Sequence, residues 1–310
     1  MTFKSNENPM FRSKFSEDIF KQKYAHQGCH TWADLAKVLV EDVCGEFLPK
    51  DEVQDLTQII TDLQFIPGGR YLYYAGRPSK FFNNCYLLKA EEDSREDWSN
   101  LSWKSESCLM TGGGMINEIG RRVMQGGSRR SAIYASLNWK HRDVDTFLNS
   151  KNWYDMPVGS TGFSIGQIKE QDFNFPAPLD MTNISVNYDT EWLLNYWNTG
   201  DMGEVFEANV RQALRTAEPG FSFNFFDKEN ETLRNACTEV TSELDSDVCN
   251  LGSCNLGRID NLEEFRKVVE LGTKFLLCGT LKAELPYDKV YKVRESQRRL
   301  GLGLMGMHEW

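Results

Sequence analysis

Residues 235–256 read Asn-Ala-Cys-Thr-Glu-Val-Thr-Ser-Glu-Leu-Asp-Ser-Asp-Val-Cys-Asn-Leu-Gly-Ser-Cys-Asn-Leu, the densest set of chemically reactive side chains in the chain. Asn235, Cys237 and Glu239 stand at alternate positions, and such side chains project to one side of an extended segment. Cys249 follows after a polar, acidic loop, and Cys85 stands far upstream after two asparagines. Three thiols that could meet around one substrate, with an amide and a carboxyl group, predict a redox site.

Length and composition indicate an ordinary globular protein. The chain has 310 residues, of which 40% are hydrophobic, 12% aromatic and 26% charged, enough for one large domain or two smaller ones. Its net charge of -10 argues against a general binder of nucleic acid or anionic membranes, because both need a basic surface. The N-terminus is polar and no apolar run could span a bilayer, so we expect a cytoplasmic protein without a membrane partner.

The chain contains eight cysteines and four histidines, and in the cytoplasm the thiols are expected to stay mostly reduced. His26, Cys29 and His30 form the one cluster with metal-like spacing, but a complete tetrahedral set is not evident. We interpret that cluster as a surface turn and predict no metal site. Cys108 and Cys278 fall on apolar faces of predicted helices and are interpreted as core residues.

Two amphipathic helices are predicted near the N-terminus. From Thr31, placed as the N-cap, to residue 47 the apolar residues recur at helical spacing. A second helix follows Pro49, with two acidic residues in its first turn and an apolar face behind them. These helices predict a helical N-terminal lobe over residues 1–64, with residues 65–310 as a second domain.

Downstream, strand and helix patterns alternate, which favours an α/β architecture. Pro67-Gly68-Gly69 predicts a tight turn that leads into a strand. The helix predicted at 203–216 carries apolar residues on one face, namely Val205, Phe206, Val210, Ala213 and Leu214. The other predicted elements are strands at 131–137 and after 176, helices at 190–197 and 262–285, and a helix through residues 301–310.

One short region combines two glycine clusters with four arginines. Gly126, Gly127, Ser128, Arg129 and Arg130 could wrap a phosphate. Glycine backbone amides can approach an anion closely, and arginine binds oxyanions through two hydrogen bonds. A flexible connector explains the glycine clusters equally well, and the two interpretations stay open at this point.

Several spaced motifs together resemble the large subunit of ribonucleotide reductase. Asn235-x-Cys237-x-Glu239 and the following Cys249-Asn-Leu-Gly-Ser are similar to the finger-loop signature of that family, and Cys85 stands where the family keeps its first redox cysteine. Residues 238–243 look most like the adenosylcobalamin-dependent class II ribonucleoside-triphosphate reductases. Further blocks in the family's order are Gln125-Gly-Gly-Ser-Arg-Arg-Ser-Ala132, Pro178-Leu-Asp-Met-Thr-Asn-Ile-Ser-Val186 and Arg299-Leu-Gly-Leu-Gly-Leu-Met-Gly306.

The resemblance implies a ten-stranded α/β barrel with a finger loop through its centre, of which this chain would contain the first half-barrel. It implies that Cys237 carries a thiyl radical that removes the ribose 3′-hydrogen inside a dry cavity. Glu239 would accept the proton of the 3′-hydroxyl group, and Asn235 would hold the ribose hydroxyls. Cys85 and Cys249 would supply two electrons and a proton as the 2′-hydroxyl leaves as water, and would end as a disulfide.

The same resemblance implies a set of partners. The radical source would be adenosylcobalamin, with its binding residues unassigned, and the substrate would be a ribonucleoside tri- or diphosphate. Thioredoxin or a similar protein would reopen the disulfide. In the family, the region of Gly126 to Arg130 belongs to the loops that contact substrate and effector.

Two departures from the family affect this interpretation. Thr111-Gly-Gly-Gly114 runs directly into Met115, where relatives have a longer insert, and the chain stops at Trp310, before the family's second half-barrel. We therefore expect a fragment, or half of a split enzyme whose second chain supplies the missing half-barrel, with little turnover by this chain alone. Two alternatives stay open: a class I large subunit that takes its radical from a separate metal-containing subunit, and an inactive remnant that binds nucleotide or metal.

Overall fold

The computed structural model describes residues 11, 13–26, 28–83, 85–90, 94–111, 124–125, 129–130, 132–159, 161–226 and 233–310. Within these ranges the α-helices are α1 (Lys14–Lys23), α2 (Trp32–Cys44), α3 (Lys50–Thr61), α4 (Gly69–Tyr74), α5 (Arg95–Thr111), α6 (Val144–Leu148), α7 (Ile165–Gln171), α8 (Thr190–Thr199), α9 (Glu204–Thr216), α10 (Leu262–Lys282) and α11 (Asp288–Gln297). The β-strands are β1 (Phe65–Pro67), β2 (Cys85–Leu87), β3 (Met124–Gln125), β4 (Arg129–Arg130), β5 (Ile133–Asn138), β6 (Thr182–Asp189), β7 (Gly220–Asn224), β8 (Leu233–Arg234), β9 (Thr241–Ser242), β10 (Asp247–Asn255) and β11 (Arg299–Met305). The predicted α/β class is confirmed.

The chain divides into two compact units. The first contains residues 1–84 and 248–310, and the second contains residues 85–247. The division between residues 64 and 65 that the sequence suggests stays a prediction. In the part of the chain that the structure describes, no helix combines the length and the apolar content needed to cross a membrane.

The two N-terminal helices of the first unit form as predicted. A capping box starts α2, because the Thr31 hydroxyl accepts the Asp34 N–H at 3.1 Å and the Asp34 carboxylate accepts the Thr31 N–H at 2.9 Å. Each fully buried aliphatic side chain contributes about 1.5–3 kcal/mol to folding. On α2 and α3 the buried apolar residues are Trp32, Leu35, Ala36, Leu39, Val40, Val43, Leu56, Ile59 and Ile60.

The core of the first unit joins these helices to α10. Phe65 and Tyr71 are fully buried, and each ring packs on Phe275 of α10, at ring-centroid distances of 5.7 and 5.0 Å. Cys278 lies in the same core, as predicted. The N-terminal helices, β1 and α10 therefore share one hydrophobic core.

The segment after Pro67 is a helix rather than the predicted strand. Gly68 donates its N–H to the Leu251 carbonyl at 2.8 Å, and α4 begins at the next residue. The buried residues Tyr71, Leu72 and Ala75 have the spacing of one side of a helix. The strand prediction is wrong because this apolar spacing outweighs the aromatic, β-favouring composition of the segment.

The predicted helix at the end of the chain is also wrong, because residues 299–305 form β11. This strand runs parallel to β10, which pairs antiparallel with β1 on its other side. Leucine and glycine alternate with a period of two from Leu300, the pattern of a strand. A Cβ atom added at Gly301 would lie 2.2 Å from Leu251 Cδ2, so this glycine permits the close approach of β11 to β10.

The second unit contains the parallel sheet β5–β6–β7. Along β6, Ile184, Val186 and Tyr188 alternate with polar residues, and Val186 and Tyr188 pack with Trp192 of α8 in an apolar cluster. Asn183 projects from the other face and donates its side-chain N–H to the Ala236 carbonyl at 2.9 Å. The sheet therefore has one apolar face under helices and one polar face that contacts the segment around residue 236. Within the described residues the strands form open sheets and hairpins, without a closed barrel.

Helix α9 forms as predicted, but its apolar face is only partly correct. Phe206 packs against the apolar cluster of the second unit, whereas Leu214 is 84% exposed. Asn209 and Gln212 are buried instead. Gln212 donates to Asn152 Oδ1 at 2.6 Å, so a hydrogen bond offsets the cost of its burial.

Candidate active site

The residues around Cys237 form the loop of a small hairpin. Strands β8 and β9 pair antiparallel, with Leu233 opposite Ser242, and residues 235–240 connect them. The Thr238 N–H bonds to the Asn235 carbonyl at 2.9 Å, and Thr238 has a φ of 67°. That left-handed conformation reverses the chain, so the predicted extended segment is wrong.

This turn separates the three predicted residues by exposure. Cys237 and Glu239 are exposed in the loop, whereas Asn235 is only 5% exposed at its base. The three residues therefore share one tight loop and do not project to one side of an extended strand. The enclosed cavity that the resemblance implies around Cys237 is not formed by the described residues of the second unit, because its side chain remains exposed there.

The Asn235 side chain makes two hydrogen bonds inside the second unit. Its Nδ2 donates to the Cys85 sulfur at 3.3 Å, and its Oδ1 accepts the Val240 N–H at 3.0 Å. The first bond brings Cys85, a residue 150 positions away in sequence, to the base of the hairpin. The second bond holds the far end of the loop. Three of the predicted site residues, Asn235, Cys237 and Glu239, thus share a loop that contacts a fourth, Cys85.

Arg234 attaches the hairpin to the parallel sheet, a role that the sequence did not predict. Its Nε donates to Ser222 Oγ at 2.6 Å, and its Nη2 donates to the Phe223 carbonyl at 2.9 Å and to Asn224 Oδ1 at 3.2 Å. All three acceptors lie on β7. A planar guanidinium with several donors in a fixed fork suits such a contact. The only signal in the sequence was a basic residue directly before the reactive stretch.

A buried carboxylate holds the other strand of the hairpin. Ser242 donates its hydroxyl proton to Asp247 Oδ2 at 2.6 Å, and the Leu244 N–H donates to the Ser242 oxygen at 3.0 Å. Asp247 is fully buried. The nearby Asp245 accepts a hydrogen bond from the Lys104 ammonium group at 2.9 Å. From the sequence this stretch was interpreted only as a polar, acidic loop. Its buried acids instead fix the stem of the hairpin.

The remaining predicted site residues belong to other strands or to segments outside the described residues. Cys249 is 1% exposed on β10 in the first unit, where it pairs in register with Arg299 of β11. Arg129 and Arg130 form β4, which pairs with β3. Gly126, Gly127 and Ser128 lie outside the described residues, and so does most of the glycine-rich region before them.

The other cysteines have the properties of core residues. Cys108 is fully buried, as predicted, and burial raises the pKa of Cys254 to about 11. Cys44 shares a hydrogen bond with Cys278, and that bond together with burial raises the pKa of the Cys44 thiol. Burial likewise raises the pKa of Cys29. Across the described ranges no three His, Cys, Asp or Glu side chains are grouped in a way that could hold a metal ion.

Replacement of Arg234 by methionine is expected to lower the free energy of unfolding by about 1–3 kcal/mol, because hydrogen bonds to buried acceptors on β7 are lost. Ser222 and Asn224 are both nearly fully buried, so water cannot easily replace the guanidinium. Arg211→Met removes an exposed guanidinium on α9 and is the matched control, expected to change stability by less than about 0.5 kcal/mol. Urea unfolding followed by circular dichroism compares the two, and equal effects would contradict the role of Arg234.

Parts of the chain are similar in sequence to known proteins. Residues 190–310 match the family model described as ribonucleotide reductase, barrel domain. A vitamin B12-dependent ribonucleoside-diphosphate reductase of Thermoplasma acidophilum is 28% identical over 292 residues, covering 80% of this chain and 37% of that protein. A putative adenosylcobalamin-dependent ribonucleoside-triphosphate reductase of Mycobacterium phage D29 is 29% identical over 264 residues, covering 75% of this chain and 35% of that protein.

A solved structure has the same fold. The class Id ribonucleotide reductase alpha subunit of Actinobacillus ureae superposes with a TM-score of 0.71 at 15% identity, covering 96% of this chain and 60% of that one. The chain spans little more than a third of the length of the two curated relatives described above. The family match identifies residues 190–310 as a ribonucleotide reductase barrel domain, and over most of its length the chain is similar in sequence to vitamin B12-dependent reductases and in fold to a reductase alpha subunit.

Proposed function

We propose that this chain provides the radical-bearing hairpin of an enzyme that reduces ribonucleotides to 2′-deoxyribonucleotides for DNA synthesis. The observation that carries the proposal is the loop of residues 235–240, which presents Cys237 and Glu239 at its surface while Asn235 at its base contacts Cys85. Residues 233–242 would be the family's finger loop, and the described strands would belong to its ten-stranded barrel. The fold shared over 96% of the chain with a reductase alpha subunit supports this assignment.

The proposed chemistry gives a separate role to Cys237, to Glu239 and to the pair Cys85 and Cys249. A sulfur radical on Cys237 takes the 3′-hydrogen of the ribose, and Glu239 accepts the proton of the 3′-hydroxyl group. The 2′-hydroxyl leaves as water while Cys85 and Cys249 are oxidised to a disulfide, which supplies two electrons. The hydrogen is then returned from Cys237 to C3′. One ribonucleotide and two thiols thus give one deoxyribonucleotide, one disulfide and one water, and thioredoxin or a similar dithiol reductant restores the thiols.

Adenosylcobalamin is the proposed radical source, since the relatives' names include vitamin B12-dependent and adenosylcobalamin-dependent reductases. When bound, it supplies a carbon-centred radical. The exposed Cys237 thiol fits this role, because a radical source must reach it from outside the hairpin. The residues that would hold the corrin ring are unassigned. The two names specify a diphosphate and a triphosphate substrate, so the proposal covers ribonucleoside di- and triphosphates.

The proposal also covers the phosphate contacts, a second chain and the cellular location. Arg129 and Arg130, with the neighbouring residues 126–128, are proposed to contact the phosphates of substrate or effector, supported by their basic and glycine-rich composition. If the native enzyme is split, a second chain supplies the missing half-barrel, and co-purification of such a chain with this one would show it. The cytoplasmic location predicted from the sequence stays a prediction.

Deoxyribonucleotide formation by the native enzyme that contains this chain tests the proposed function. The assay supplies ribonucleoside triphosphate, a dithiol reductant and adenosylcobalamin, and each component is omitted in turn. Product that depends on added adenosylcobalamin supports the class II assignment. Product formed without it, but dependent on a metal-containing partner subunit, would indicate class I chemistry. Absence of product under every condition would contradict the proposed function.

Glu239→Gln is expected to lower the rate of product formation by about 10²–10⁴-fold, because glutamine keeps the shape of the side chain but cannot accept a proton. The matched control is Glu243→Gln, an equally exposed carboxyl group directly after the hairpin. The control is expected to retain the wild-type rate within about twofold, a change worth less than about 0.5 kcal/mol. Equal rates for the two variants in the same assay would remove Glu239 from the proposed mechanism.

A further inference from the structure

We propose that Asn235 couples the redox state of Cys85 to the conformation of the loop that carries Cys237. The inference rests on the proposed function, in which Cys85 is oxidised once in each turnover. It is carried by the two hydrogen bonds of one buried amide, from Nδ2 to the Cys85 sulfur at 3.3 Å and from the Val240 N–H to Oδ1 at 3.0 Å. Asn235 is therefore a positioning residue for Cys237, in addition to its predicted contact with the ribose.

The Asn235 carboxamide links its two hydrogen bonds because the group is planar and rigid. Rotation that moves Nδ2 away from Cys85 also moves Oδ1 relative to the Val240 N–H, since both atoms are bonded to the same carbon. Asn235 is only 5% exposed, so water does not readily replace either partner. The two hydrogen bonds are thus expected to form and break together.

Oxidation changes the acceptor at one end of this link. A reduced Cys85 sulfur accepts a hydrogen bond, and its thiolate accepts one more strongly because of the charge. In a disulfide the sulfur carries no charge and lies about 2.05 Å from its partner sulfur, which draws it from its position in the thiol form. The Nδ2 donor then loses its acceptor, and the amide is no longer held in the orientation that serves Val240.

The loop of residues 235–240 depends on the hydrogen bond between Asn235 and Val240. Thr238 has a φ of 67°, a conformation that is unfavourable for a β-branched residue, and the chain reversal is closed by the Thr238 N–H to Asn235 carbonyl bond at 2.9 Å. Loss of the Val240 bond removes the contact that ties the end of this turn to the Asn235 side chain. Cys237 would thus be held for radical formation while Cys85 is reduced, and released when it is oxidised. This order prevents a radical from forming when no electrons are available to complete the reduction.

The amide has capacity for both roles. A primary carboxamide has two N–H donors and two acceptor lone pairs on its oxygen, and the hairpin uses one of each. One donor and one lone pair remain for ribose hydroxyls. The positioning role therefore does not displace the substrate contact that the resemblance implies for Asn235.

A double-mutant cycle on the full chain tests the coupling without any assay of turnover. Cys85→Val removes the sulfur acceptor at similar volume, and Asn235→Asp keeps an acceptor for the Val240 N–H but removes the Nδ2 donor. The readouts are amide hydrogen exchange at Val240 and Thr238 and the rate of Cys237 alkylation by iodoacetamide. In the wild-type background Cys85→Val is expected to speed exchange at Val240 by roughly fivefold or more, the effect of one lost hydrogen bond.

In the Asn235→Asp background, Cys85→Val is expected to leave the rate of amide hydrogen exchange at Val240 unchanged. Cys108→Val, at a fully buried cysteine on α5 in the same unit, is the control for general loosening and is expected to leave the exchange ratio of Val240 to Thr241 unchanged. An equal effect of Cys85→Val in both backgrounds, or no effect in either, would overturn the coupling.

A redox arm completes the experiment. The wild-type chain is compared in dithiothreitol and after diamide oxidation, with mass spectrometry to establish that Cys85 has been oxidised. Exchange at Val240 is expected to rise on oxidation in the wild type and to stay constant in Cys85→Ser, which keeps an oxygen acceptor but cannot form a disulfide. Constant exchange in a wild-type sample with oxidised Cys85 would also overturn the inference. Because turnover is not measured, these outcomes are independent of whether the proposed reaction occurs.

Discussion

Cys237→Ser is expected to abolish deoxyribonucleotide formation, with a loss of at least about 10⁴-fold in rate, comparable to removal of an essential nucleophile in other enzymes. Serine has nearly the same shape, but its O–H bond is stronger than the S–H bond of cysteine, so an oxygen radical would not be formed in its place. The measurement is product formation by the native enzyme that contains the chain, at saturating substrate and reductant.

The structure makes Cys237→Ser a clean test, because the Cys237 side chain is exposed at the loop. Substitutions of similar shape at exposed positions usually change stability by less than about 0.5 kcal/mol, so the variant is expected to unfold at about the wild-type urea concentration. Hydrogen exchange of Thr238 and Val240 should also be unchanged, which separates a chemical loss from a disturbed hairpin. Turnover above about 1% of wild type, with an intact hairpin, would exclude radical transfer through Cys237 as an obligatory step.

For the hairpin, the sequence predicted the residue types of the site but not the conformation of the loop. The residue types at positions 235, 237 and 239 predict a redox site, which stays a prediction. The argument from an extended strand was wrong, because Thr238 adopts a left-handed conformation in the middle of the set. Nothing in a Cys-Thr-Glu sequence requires that conformation, since threonine disfavours it. The turn is accompanied by the hydrogen bond from the Val240 N–H to the Asn235 side chain, which spans five residues and has no periodic pattern in the sequence.

The attachments of the hairpin were missed for a related reason. Arg234 bonds to β7 and Ser242 bonds to Asp247, and each contact depends on which segments are adjacent in the folded unit. Basic and acidic residues are exposed in most proteins, so their types alone do not indicate buried contacts. Their burial was decided by the tertiary structure.

Periodic patterns were predicted best. Helices α2, α3 and α10 occupy the segments expected from their apolar spacing, since a long amphipathic helix carries the same signal over several turns. The predictions for two short segments were wrong, because α4 was expected to be a strand and β11 a helix. In β11 the alternation of leucine and glycine was present, but glycine carries no side chain to show whether a position is buried. The role of these glycines is visible only in the structure, where β10 approaches β11 closely.

Helix α10 presents two glycines, seven residues apart, to aromatic rings of the core. A Cβ atom added at Gly272 would lie 2.9 Å from ring carbons of Phe65, and one added at Gly279 would lie 2.0 Å from the Tyr71 hydroxyl oxygen. Tyr71 is fully buried and stacks on Phe82 at a ring-centroid distance of 4.9 Å, so its ring has no free space to enter. The glycines therefore set the depth at which the two rings pack on the helix.

Gly279→Val is accordingly expected to lower the free energy of unfolding by about 3 kcal/mol, the upper part of the usual range for overpacked cores. Urea unfolding measures it, with Thr273→Val as the control, because this change places the same β-branched residue at an exposed position of the same helix. The control is expected to change stability by less than about 0.5 kcal/mol. Unaltered stability of Gly279→Val would mean that the Tyr71 ring can move, contrary to its packing between Phe82 and Phe275.

The identity of the clashing atom can be tested with Gly279→Ala. The nearest contact of the added methyl group is the Tyr71 hydroxyl oxygen at 2.0 Å, followed by ring carbons at 2.5 and 2.6 Å. Tyr71→Phe removes that oxygen, which is buried without a hydrogen-bond partner among the described residues, so the single variant is expected to be neutral or slightly stabilising. In the Tyr71→Phe background the cost of Gly279→Ala should fall but not vanish, because the ring carbons remain. A cost equal in both backgrounds would place the strain on the ring alone, and a cost that vanished would place it entirely on the hydroxyl group.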